Sequence, residues 1–153
     1  HSPEMEIMKQ MLKAEKRVDF AIFTFSKSSG IDDTMIALCK SNKKVKGILE
    51  AKQANQTWSA KHPLKENGVE VYTAEKKGNM RKLHHKLMVI DEQVVIGGSF
   101  NYTGPANQLN DENIIIFGAL GKNGQATKGK QRDFAKYALD EIKRIINVYG
   151  KPV

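Results

Sequence analysis

Residues 83–96 read Leu83-His84-His85-Lys86-Leu87-Met88-Val89-Ile90-Asp91-Glu92-Gln93-Val94-Val95-Ile96. Apolar and β-branched runs on either side of Asp91-Glu92-Gln93 predict two strands, Leu83–Ile90 and Val94–Ile96, joined as a hairpin. Alternation along the first strand sends His84, Lys86, Met88 and Ile90 to one face and His85, Leu87 and Val89 to the other. A histidine and a lysine two residues apart therefore leave one sheet face together, and Leu87–Ile90 anchors them in a core. Either side chain alone reads most simply as solvated. Together, at the head of a buried strand, they make a candidate reactive pair.

Working outward, the pattern alternates strands and helices. Val18–Phe25 (VDFAIFTF), Val45–Ala51 and Val69–Thr73 read as strands before the hairpin, and Asn113–Phe117 as a buried strand after it. A first helix over Glu4–Lys16 places Met5, Met8, Met11 and Leu12 at helical spacing behind Pro3, which suits a first helical turn. The methionines are most simply core filler. Asp32 or Asp33 can cap a second helix running to about Ser41. Gln56–Glu66 looks helical, with Pro63 near an end or at a kink, and Asn67-Gly68 is a turn. Ala74–Lys82 is a polar, basic loop. Gly118–Lys130, rich in Gly, Lys and Asn, reads as a flexible loop. Asp133–Tyr149 is a last helix with Phe134, Ala138, Ile142, Ile145 and Ile146 on one face. The expected fold is α/β, a layered mixed β-sheet flanked by helices, in a single domain over residues 1–153. No internal repeat is visible, so these residues hold no tandem duplication.

At 153 residues, 40% hydrophobic and 27% charged, the chain has the balance of a globular protein with a proper core. The one cysteine, Cys39, rules out an internal disulfide and a thiolate metal cage. It fits a reducing compartment, which tilts the reading towards the cytoplasm. The start His1-Ser2-Pro3, without Met, leaves open that a signal or anchor has been removed. No apolar run approaches bilayer length. The formal net charge of +8 favours polyanionic partners: nucleic acid, acidic phospholipid or another phosphorylated substrate.

Two further segments add polar groups. Gly97-Gly98-Ser99-Phe100-Asn101 follows the hairpin, where the glycines admit close approach of a ligand and Ser99 and Asn101 offer neutral donors. Asp111-Glu112-Asn113 introduces the next strand and puts Glu112 at its rim. The combination His84-x-Lys86-x4-Asp91, Gly98-Ser99-x-Asn101 and Glu112 resembles the signature of the phospholipase D superfamily. The order of elements is most similar to the small bacterial endonucleases of that superfamily, over most of the chain except 118–130.

This resemblance implies a phosphodiesterase in which His84 attacks phosphorus and forms a phosphohistidine, while Glu112 orients the imidazole. Lys86 and Asn101 would hold the nonbridging oxygens, assisted by Ser99. Asp91 completes the motif, but it lies at the far end of the strand with the opposite parity, which suits a hydrogen bond or salt bridge better than chemistry. His85 points away from the site by the same parity, and His62, beside Pro63, reads as a surface residue. No metal and no cofactor are expected, since Lys86 supplies the charge a metal would bring and no ligand cluster is visible.

A single histidine cannot be both nucleophile and acid, and members of the superfamily pair two motifs about a two-fold axis. This chain has one, which implies a homodimer completing the site, or else half of a longer two-motif chain. Arg81 and Lys82, with Lys76 and Lys77, precede the motif strand, and Lys122, Lys128 and Lys130 follow it. Such lysines can track a nucleic-acid backbone, although loop lysines are also ordinary solvated surface. Trp58 and Tyr72 can stack on bases, with core or rim packing as the simpler reading. Nucleic acid is the expected substrate. Phospholipid is the alternative, and a non-catalytic nucleic-acid-binding module is a third reading that the intact residue set argues against.

Overall fold

The computed structural model describes residues 2–78, 83, 85–99, 101–103, 113–120 and 125–153, with residues 125–128 described through their backbone. Seven strands in the described residues form one sheet: β1 (Arg17–Ile22), β2 (Lys44–Glu50), β3 (Glu70–Ala74), β4 (Lys86–Ile90), β5 (Val94–Gly98), β6 (Ile114–Phe117) and β7 (Gly150–Pro152). Their order is β6-β5-β4-β1-β2-β3-β7. The centre, β1-β2-β3, is parallel, and β4, β5, β6 and β7 each run antiparallel to the strand they join. Helices α1 (Pro3–Met11), α2 (Ile31–Lys40), α3 (Ala51–Ala54), α4 (Lys61–Glu66) and α5 (Gln125–Tyr149) complete the layers. This is the mixed, helix-flanked sheet expected from the sequence.

The period-2 alternation in β4 decides which core each residue enters. Met88 and Ile90 pack with Ile7, Met11, Met35 and Leu64, beneath α1, α2 and α4. Leu87 and Val89 pack on the opposite face with Leu139, Ile142, Ile145 and Ile146 of α5. A one-residue slip in β4 would exchange the two sets and expose its polar neighbours, so both cores fix the register.

Several element boundaries differ from expectation. Helix α1 stops at Met11, and its buried residues are Ile7 and Met11, while Met5 and Leu12 are exposed. Pro3 does occupy its first turn, behind a Ser2 cap that accepts from the Met5 amide at 3.4 Å. Helix α2 is capped by Gly30 in the left-handed region rather than by Asp32 or Asp33. The buried Asp32 carboxylate instead turns back to accept from the Gly30 amide at 3.1 Å and the Ser29 hydroxyl at 3.4 Å. Residues 56–60 form turns, so the helix holding Pro63 is confined to α4. Motif strand β4 begins at Lys86 rather than Leu83.

Strand β6 is an edge rather than a buried strand. Ile114 and Ile116 pack on the first core, whereas Ile115 and Phe117 face outward, and Phe117 meets the equally exposed Phe134 at a ring separation of 4.5 Å. Phe134 therefore stands outside the buried face of α5, which Ala135 and Leu139 join. The largest difference lies at 125–130, read as loop but forming the first turns of α5. There the Gln131 amide side chain accepts from the Ala119 N–H at 3.2 Å and donates to the Ala119 carbonyl at 2.9 Å. This two-point clasp secures the helix to the chain leaving β6 and overrides the poor helix propensity of Gly129. Strand β7, which pairs with β3, has no counterpart in the sequence reading.

Candidate active site

One edge of the sheet gathers the carboxyl ends of β1, β2, β3 and β5 and the starts of β4, β6 and β7. The carboxyl ends of strands are where open α/β sheets bind ligands, because backbone groups and loop side chains converge there without a competing core. Lys86 opens β4 on this edge, opposite Ile22 of β1. It is half-buried, and its ammonium lies 5.6 Å from the centre of the Phe23 ring, a cation–π contact that confines the charge to the edge.

Ser99 reaches the same edge from the end of β5. Its amide donates to the Asn113 carbonyl at 3.1 Å, and its hydroxyl accepts from the Asn113 amide at 3.1 Å. These bonds tie it to the residue that follows Glu112 in the chain. Gly98 makes the closeness possible. Its φ of 138° disfavours any side chain, and a Cβ there would collide with the Asn113 carbonyl.

Asn101 is held through its neighbour. The Tyr102 amide donates to the Thr24 carbonyl at 2.9 Å, and the Tyr102 carbonyl accepts from the Ser26 amide at 2.6 Å. The Tyr102 ring packs edge-on against Phe25 at 5.2 Å, and full burial pushes its hydroxyl well above the usual phenol pKa. Residues 101–103 are thereby laid against the extension of β1. The Oδ1 of Asn101 is buried and finds no hydrogen-bond donor among the described residues, which is costly unless a partner is supplied.

Lys86, Ser99 and Asn101 thus share one edge. His84, Glu112, Arg81 and Lys82 lie outside the described residues, as do Lys122 and the side chain of Lys128. His85, next to His84 in the chain, is pinned twice. Its carbonyl accepts from the Phe23 amide at 2.8 Å, and its Nε2 lies 3.6 Å from the Glu141 carboxylate on α5. Glu141 is itself gripped by the two Arg144 nitrogens at 2.8 and 2.9 Å, which hold its carboxyl below the usual range. Sequence reasoning missed Glu141 and Arg144, since an acid and a base three apart on a helix are commonplace.

Asp91 sits at the opposite edge. Its carboxylate accepts from three successive amides, Glu15 at 2.7 Å, Lys16 at 2.8 Å and Arg17 at 2.9 Å, and its own amide donates to the Arg17 carbonyl. Both Asp91 and Glu92 have positive φ, the geometry a tight hairpin turn needs and non-glycine residues resist. The three charge-assisted bonds offset that strain. A cleft of about 630 Å³ also opens at this edge, lined by both signs of charge, including Arg17, Lys136 and Lys143 facing Asp133 and Asp140. It is remote from Lys86, and its mixed charge gives no preference for an anion.

Among the described residues, no three His, Cys, Asp or Glu side chains converge as a metal site requires. His62 is exposed on α4. The Tyr72 hydroxyl donates to Glu70 at 2.7 Å and its ring lies under Lys46, so Tyr72 serves a surface network. Trp58 is exposed in the turn between α3 and α4.

The family described as "Cardiolipin synthase, PLD-like domain" matches residues 7–136, most of the chain, motif included. The chain belongs to the phospholipase D superfamily. Among its superfamily relatives, the mitochondrial cardiolipin hydrolase of Xenopus laevis is 34% identical over 110 residues, covering 72% of this chain and 50% of that protein. A phospholipase D of Rickettsia conorii is 30% identical over 115 residues, covering 72% and 53%. The chain thus spans about half the length of these curated relatives. The phospholipase D family member Nuc from Salmonella typhimurium has the same fold, with a TM-score of 0.83 at 19% identity over 99% of this chain and 91% of that one.

Proposed function

We propose that this chain is a metal-independent phosphodiesterase that works through a phosphohistidine at His84, and that its substrate is DNA or RNA cleaved with little sequence preference. The observation that carries the reading is that Lys86, Ser99 and Asn101 share the carboxyl edge of the sheet, with His84 two residues before Lys86 in the chain. A phosphodiester is anionic and hydrolyses extremely slowly, so a catalyst must neutralise charge, supply a nucleophile and protonate the leaving oxygen. Lys86 and Asn101 hold the nonbridging oxygens, with Ser99 assisting, and each such donor is worth about 3 kcal/mol in the transition state. Arg81 and Lys82 add positive charge along the substrate backbone.

One imidazole nitrogen of His84 forms the bond to phosphorus as the bond to the leaving oxygen breaks, and Glu112 accepts from the other nitrogen. The leaving oxygen takes its proton from a second His84, contributed by a homodimer partner. Water, deprotonated by that same partner imidazole, then cleaves the phosphorus–nitrogen bond. One neutral and one protonated imidazole are required at the start, and the two titrate as a coupled pair. A second motif on the same, longer chain would serve equally.

Phospholipid is the second reading, favoured by the names of the cardiolipin hydrolase and phospholipase D relatives. Among the described residues no helix is long and apolar enough to cross a membrane. The deciding assay offers single-stranded DNA, plasmid DNA, RNA and cardiolipin liposomes in EDTA, with His84→Ala as control. Polynucleotide cleavage by the wild type alone is expected. Hydrolysis of cardiolipin without any polynucleotide cleavage would replace nucleic acid with lipid, and cleavage that requires added Mg²⁺ would sink the mechanism.

A further inference from the structure

The site continues sideways onto a surface that the mechanism leaves unused. Ser26 donates its amide to the Tyr102 carbonyl at 2.6 Å and bridges to Ser59 on its other side. Next to it, the Lys27 amide donates to the Trp58 carbonyl at 3.0 Å, and the Ala60 amide donates to the Phe25 carbonyl at 3.0 Å. Residues 101–103, 24–27 and the turn at 58–60 are therefore linked side by side through the bridges Phe25–Tyr102 and Ser26–Ser59. At the ~4.8 Å spacing of bridged neighbours, the backbone at Ser59, next to Trp58, lies roughly 10 Å from the 101–103 segment. That is within reach of a nucleotide adjoining the bound phosphate.

Trp58 is 37% exposed although Ser59 and Ala60 beside it are buried, so an accessible ring is mounted on a fixed backbone. Its surroundings are basic. Residues 51–65 contain Lys52, Lys61 and Lys65 and no acidic residue, and Lys27 is exposed on the adjoining loop. Lys61 also donates to the Asn55 side chain at 2.7 Å, which braces the same turn. An exposed aromatic face among lysines, beside a phosphate site, is the arrangement that binds single strands without reading sequence: bases stack and the backbone is neutralised. A duplex keeps its base faces stacked inward and cannot use such a ring.

We propose that Trp58 is a stacking platform for a base flanking the scissile phosphate, with Lys27 and Lys52 on the strand's backbone, and that the enzyme therefore prefers single-stranded nucleic acid. The inference rests on the nuclease reading above.

Trp58 is the only tryptophan in the chain, so intrinsic fluorescence reports on it alone. His84→Ala protein, which binds without turnover, is titrated with a single-stranded oligonucleotide, its duplex and cardiolipin vesicles. Strong quenching by the single strand and weak quenching by the duplex are expected. In the cleaving enzyme, Trp58→Leu, which keeps apolar packing and removes the π face, should raise KM for single strands roughly tenfold to a hundredfold with kcat nearly unchanged. Trp58→Phe should recover most of the loss. Unchanged KM in Trp58→Leu, while the wild type still cleaves polynucleotide, would overturn the platform and leave the nuclease reading standing. A fluorescence response to vesicles but not to oligonucleotide would overturn it in favour of a membrane-facing tryptophan. A wild type that neither binds nor cleaves any polynucleotide would sink both.

Discussion

Asp91 is spent on the backbone: three main-chain amides of residues 15–17 end on its carboxylate, at the edge of the sheet away from Lys86. Asp91→Ala would strand those donors and leave two consecutive positive-φ residues unsupported. A loss of about 2–4 kcal/mol of stability is expected, since hydrogen bonds to charged groups carry 1.5–3 each and the losses are not additive. The drop should appear as a lower urea midpoint, while turnover per folded molecule stays near wild type. Turnover falling with the midpoint unmoved would instead place Asp91 in the chemistry. Its place beyond the apolar run, at the far end of the strand from Lys86, was legible in the sequence. Strand parity does not describe it, because Asp91 stands in a left-handed turn outside β4. Its partners were not legible, because they are amides more than seventy residues away, and backbone donors carry no sequence signal.

At the scale of elements, β4 was legible because two cores demand strict alternation, and its neighbours followed from their β-branched runs. Helix α2 shows the limit. An acidic residue near a helix start suggests a cap, yet Gly30 takes that place and Asp32 is drawn into the interior with Ser29. Burial raises the Asp32 pKa, with Asp33 adding to the effect. The sign follows directly. The carboxyl favours folding below its unfolded pKa, and that contribution is lost as pH rises through the folded value. Asp32→Asn keeps an acceptor for the Gly30 amide and removes the buried charge. Its melting temperature should therefore equal or exceed wild type at pH 7, with the difference shrinking towards zero below the ordinary aspartate value. An advantage that grows in acid would contradict this. The start of α5 was illegible for another reason: Gly and Lys composition speaks for a loop, whereas the Gln131 clasp on Ala119 is a tertiary contact.

Across the whole molecule, the fold class was readable from the alternation of strands and helices. The gathering of Lys86, Ser99 and Asn101 on one edge was readable only through the resemblance, because their spacing along the chain does not itself bring them together. With one motif in these residues, the proposed chemistry needs a second, and in the homodimer reading it comes from another copy. Specific activity should fall on dilution with the dimer fraction measured by sedimentation, and an active monomer would contradict that assembly. The formal charge of +8 suits a polyanionic substrate but leaves the reaction open, so the chemistry itself must be trapped. The most direct measurement is the intact mass of the wild-type protein, quenched within one turnover of a single-stranded oligonucleotide in EDTA, followed by peptide mapping. An acid-labile phosphoramidate adduct is expected on the peptide carrying His84, absent in His84→Ala. Full cleavage activity in His84→Ala, or an adduct on any other residue, would contradict the mechanism.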